Sequence, residues 1–161
     1  MSSVLRSLLF LREVKRQAAW LVLQRKRQEL ERAGQRHRQA EEALLLLRSR
    51  YGEEVDACYA PVMGKITDLN RLQDIAAMVA DLDGRIERQV EDLHDAADHL
   101  ADLTEEHREM LQSFMERSRK DEQFADVVLE IERAARAKAE RQAEASVEEI
   151  VTGIRERERV A

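Results

Sequence analysis

The stretch LQDIAAMVADLDGRIERQVEDLHDAADHLADLTEEHREMLQSFMER, residues 72–117, carries the most regular pattern in the chain. Steps of seven from Leu72 pass through Val79, Ile86, Leu93, Leu100, His107 and Phe114. Three residues further on lie Ile75, Leu82, Gln89, Ala96, Leu103, Met110 and Arg117. Eleven of these fourteen are apolar over seven heptads, the signature of a helix with a narrow apolar seam against another helix. The register continues through Asp121, Phe124, Val128, Ile131 and Ala135 and then fades, although helix-forming residues run on. The first half repeats the pattern less cleanly. Leu23, Leu30, His37, Leu44 and Tyr51 are seven apart, with Ala19, Ala33, Ala40 and Leu47 as companions. After Tyr51 the apolar positions become Val55, Cys58 and Val62, a slip of one place that alters the supercoil locally.

Between the two seams stands Ala60-Pro61-Val62-Met63-Gly64, with the only proline of the chain close to a glycine. These residues end a helix and turn it. Thr67 or Asp68 then caps the next helix by accepting from its free N–H groups. The expectation is all-α: a long antiparallel two-helix coiled-coil hairpin with the second helix longer. As one elongated domain over 1–161, it has helix one at about 3–60, a turn at about 61–66 and helix two at about 67–157. With 37% charged residues, 4% aromatics and five glycines, the composition suits long helices better than a thick core.

Charge separates along the chain: residues 1–50 carry a net +7, residues 51–116 a net −12 and residues 117–161 a net −1. With a turn centred near Met63, residue i faces residue 126 − i. Arg25, Lys26, Arg27, Arg32, Arg36 and Arg38 then face Glu91, Asp92, Asp95, Asp98 and Asp102. Each exposed pair is worth about 0.2–1 kcal/mol, and together they favour one alignment. On that alignment helix one ends opposite residue 121. Roughly 35 residues of helix two, about 50 Å, then project beyond it, and so long an unpaired helix frays or is ordered by a partner.

Catalytic chemistry is not expected. There is no phosphate-binding glycine loop, HExxH or CxxC. His94 and His99 are five apart and point in different directions on a helix. His107 falls on the seam, and a two-helix rod encloses no substrate. Cys58 stands alone without a histidine beside it, and reads as a small packing residue. A net charge of −6 with few aromatics argues against nucleic acid. No apolar run is long enough to span a bilayer, and the N-terminus lacks the order of charges and cleavage residues of a signal peptide. No cofactor or metal is expected, and function must lie in binding.

Four features resemble the YscO/FliJ family of type III secretion and flagellar export: Leu5-x-x-Leu8-x-x-Leu11-Arg12-x-x-Lys15-x-x-Ala18 at the start, Tyr51 and Tyr59 before a short central turn, Arg119-Lys120-x-x-x-Phe124 late in helix two, and the length with the hairpin architecture. The resemblance implies a non-enzymatic central stalk, cytoplasmic and peripheral to the inner-membrane export apparatus. It implies that both termini enter the pore of a hexameric secretion ATPase and that the turn reaches the cytoplasmic ring of the export gate. Contact with export chaperones is implied too. By this analogy Leu5, Leu8, Arg12, Lys15 and Arg16 belong to the ATPase end. Tyr51, Val55, Tyr59, Leu69 and Leu72 belong to the gate end, although seam packing alone accounts for Tyr51, Val55 and Leu72. The clusters Leu8–Leu11 and Trp20–Leu23 exceed what one seam needs, which points to a partner or to self-association. The alternative functions are a secretion chaperone or escort, and a generic structural coiled coil.

Overall fold

A computed structural model of the chain describes residues 2–161. It consists of helix α1, Ser2–Tyr59, and helix α2, Leu69–Val160, with no strand among the described residues. The fold is the expected helical hairpin with the longer second arm, and α2 continues without a break past the point where its heptads fade.

Turn chemistry sets where the helices stop. The Tyr59 carbonyl accepts from the N–H groups of Val62 and Met63 at 3.0 and 3.1 Å, which closes the end of α1. Pro61 has no N–H to continue the helix. Gly64 has φ of 70°, the only positive value among the described residues, and a side chain there would be strained. Val62 is buried, whereas Met63 and Ile66 stand out in solvent. Of the two candidate caps Asp68 serves: its carboxylate accepts from the Arg71 N–H at 2.8 Å. The turn therefore extends two residues further than the sequence suggested.

That extension shifts the alignment. In the compact unit Val22–Leu111, Lys26 reaches Glu106, the Ala40 carbonyl accepts from Gln89, and Tyr51 donates to Asp83. The 126 − i rule puts Leu100, Ile86 and Ile75 at those places, so α2 is displaced by roughly one to two turns. The expected ladder of opposed charges is largely absent as a result. Of the basic run only Lys26 makes an ion pair across the helices, with Glu106 at 2.6 Å, and Arg27 pairs along its own helix with Glu31. Opposed charge therefore does not set this register.

The seam itself lies where the heptads put it. Leu23, Ala33 and Leu44 of α1 and Ile75, Ala96 and Leu103 of α2 are buried, and Leu30, His37, Val79, Leu82, Leu93 and Leu100 are half-buried. Leu72 departs from this and is exposed, at the level of the turn. Lys26 takes a seam position in α1. Its ammonium is held above the usual lysine range by the hydrogen bond to Glu106, against a smaller opposing loss of solvent, with Glu29 adding to the rise.

The second unit comprises residues 1–21 and 112–161. Beyond Phe114 the inward positions of α2 are Ser118, Asp121, Phe124, Ala125, Val128 and Glu132. Asp121, Phe124 and Val128 keep the strict heptad, whereas Arg117 and Ile131 are exposed and Ser118 and Glu132 turn inward in their place. An α-helix drifts against a seven-residue repeat, and two successive four-residue steps, Met110 to Phe114 to Ser118, accommodate that drift. Arg6 pairs with Glu132 at 3.4 Å. About 28 residues of α2 run past that point, or ~42 Å at 1.5 Å per residue, rather than the 35 expected.

Candidate interaction surfaces

In the terminal unit the sequence-selected cations divide into two kinds. Arg12 donates to Asp121 at 3.0 Å and its guanidinium lies 4.2 Å from the centre of the Phe124 ring. A cation held by a carboxylate and an aromatic face clamps the two helices together. The Arg119-Lys120-x-x-x-Phe124 element of the sequence thus contributes its ring to this clamp. Arg16 is half-buried and pairs with Glu13 at 2.8 Å. Lys15 and Leu8 remain exposed, and Leu5 is half-buried.

Around the rest of α1 the apolar surface is wide. Val4, Leu8, Phe10, Leu11, Val14, Trp20 and Leu21 are all exposed, Phe10 at 72%. At about 100° per residue, Val4, Leu8 and Leu11 occupy one flank and Trp20 the other, with Phe10, Val14 and Leu21 on the outer side. Trp20 and Leu21 line an open groove of about 590 Å³ with Phe114, Ser118, Gln17 and Glu122. The Ser118 hydroxyl is buried there without a hydrogen-bond partner. The long end of α2 adds Val147, Ile150, Val151 and Ile154, also exposed.

At the turn, Tyr51 and Val55 are half-buried, while Tyr59, Leu69 and Leu72 are exposed. The patch extends to two residues that sequence reasoning passed over, Met63 at 71% and Ile66, which is fully exposed. Their signal was available: large apolar residues inside a turn have no seam to enter.

Tyr51 donates its hydroxyl hydrogen to the Asp83 carboxylate, which holds the phenol above its ordinary range, with loss of solvent as a lesser cause. A raised folded value means that the stabilisation is complete below the unfolded value of about 10 and is lost as pH rises through the folded one. Tyr51→Phe is therefore expected to be less stable than the parent at pH 8 and to converge with it in strong alkali. Urea melts across that range check this, and a gap that persists unchanged in alkali contradicts it.

Among the described residues no cluster of three or more His, Cys, Asp or Glu could hold a metal ion, and no helix is long and apolar enough to cross a membrane. The family model for the type III secretion protein YscO matches residues 5–152. The chain belongs to the YscO family. Its role therefore lies in type III secretion, and the family match spans both helices, the turn and most of the long end of α2. Comparison of this YscO-family chain with curated proteins and with solved structures returned no match.

Proposed function

We propose that the chain is the non-enzymatic central stalk of a type III secretion apparatus, joining the hexameric secretion ATPase to the export gate and coupling to the ATPase. The observation that carries this reading is the circumference of α1 from Val4 to Leu21. A helix that pairs along one face needs one apolar stripe, whereas one that is apolar all round is enclosed. Large side chains on both flanks and on the outer side of this segment therefore call for a partner that surrounds it, as a ring does. Arg6 and Lys15, both exposed, suit an acidic wall to that ring.

In this reading Leu8 and Lys15 touch the ATPase together with Phe10, Val14 and the half-exposed Arg16, Leu5 contributes through its exposed edge, and Arg12 holds the two helices in place. Tyr59, Leu69 and Leu72, joined by Met63 and Ile66, meet the cytoplasmic ring of the gate, and Tyr51 and Val55 support them from the seam. Binding of export chaperones uses whichever apolar surface is free.

The test is stimulation of the cognate ATPase by the purified chain. Phe10→Glu with Val14→Glu removes exposed side chains only, so the fold is expected to persist. The half-maximal concentration for stimulation is expected to rise at least about tenfold, the loss of roughly 1.4 kcal/mol of apolar contact. A parent chain that neither binds nor stimulates the hexamer would rule the stalk reading out.

A further inference from the structure

Besides Gly34, two glycines lie inside the long helices of the unit Val22–Leu111, Gly52 in α1 and Gly84 in α2. Neither is required by packing. A Cβ built at Gly52 meets no atom within 4 Å, and one at Gly84 meets only the tip of the Arg88 side chain at 3.9 Å. Neither has a positive φ. Glycine in a helix interior weakens it by a factor of about two to five relative to alanine, so both sites give up helix stability with no steric return.

The two sites share one level. The residues just before them, Tyr51 and Asp83, are hydrogen-bonded to each other across the helices. Each glycine lowers the resistance of its own helix to bending, and because the two lie at this level both helices are weakened at the same point along the hairpin.

We infer that Gly52 and Gly84 form a two-stranded hinge, about which the tip of the hairpin, residues 53–83, bends relative to the shaft. The Tyr51–Asp83 bond acts as its clasp. Both helices must yield together, because a hairpin cannot bend at one helix while the other stays straight. The inference does not depend on what binds at either end of the chain.

Amide hydrogen exchange on the full-length chain tests it. Gly52→Ala alone is expected to slow exchange about two- to fivefold at residues 50–57 and also across the hairpin at residues 82–89. Gly84→Ala is expected to give the mirror result, and the double variant a higher Tm than either. Gly34→Ala is the control, since Gly34 is another helix-interior glycine with open space at its Cβ. It should slow exchange around residue 34 and leave the two hinge segments unchanged. Slowing confined to the substituted helix, no slowing at all, or a fall in Tm would each overturn the hinge.

Discussion

Val128→Asp is expected to unpair the terminal helices while the hairpin between Val22 and Leu111 stays folded. Val128 is 1% exposed and, among the described residues of 1–21 and 112–161, is the one fully buried side chain. The rest of that interface consists of half-buried residues and two ion pairs, Arg6–Glu132 and Arg12–Asp121, which leave their cations largely in solvent. Exposed pairs of this kind contribute little. A carboxylate forced into the Val128 site loses the apolar contact and must shed its own water, a cost on the order of 3 kcal/mol. Released from α2, the first twenty residues of α1 lose the tertiary packing that supplies most of a helix's stability in a protein. Amide exchange at residues 5–18 should accelerate by about a hundredfold, and exchange at residues 33–47 and 93–103 should hold its parent rate. Unchanged exchange at residues 5–18 would mean that contacts other than Val128 hold this end.

The second large effect is expected at the turn. If the turn meets the export gate as proposed, Met63→Glu with Ile66→Glu should weaken binding to its cytoplasmic ring by at least about thirtyfold. Both side chains project from the turn, and neither adds to the seam, so the free chain loses almost nothing when they become polar. In a complex they would be the first atoms to meet a partner approaching the tip, and carboxylates there would need to be desolvated. Isothermal titration with the isolated ring domain measures the loss, and circular dichroism checks that the helices survive. Parent affinity in the double variant would move the contact up the helices toward Leu69 and Leu72. If the ATPase is still stimulated normally by this variant, the two ends act separately.

Much of this was legible in the sequence, for a geometric reason. A seam is a property of side-chain period, and the period of residues 72–110 is carried by Val79, Ile86, Leu93 and their companions without help from the partner helix. The alignment of the two helices was less accessible. It depends on the path of the whole turn from Ala60 to Asp68, which no local residue preference fixes. The inward turn of Ser118 in place of Arg117 was hidden too. Arg117 and Ser118 are both polar, so hydropathy does not say which turns inward. The cations of α1 were easy to find, yet Arg12 is taken by Asp121 and Phe124, over a hundred residues away, while Lys15 stays free. Composition along one helix cannot distinguish the two.

The left-handed backbone at Gly64 bears on how the chain assembles in time. Joining Tyr59 to Leu69 closes a loop of about nine residues, whereas bringing Arg6 directly to Glu132 spans 126 positions and costs about 2 kcal/mol more in chain entropy. Pairing is therefore expected to begin at the turn and to proceed outward, each contact shortening the gap for the next. The end that would enter the ATPase is the last to close during folding, and under load it should be the first to part.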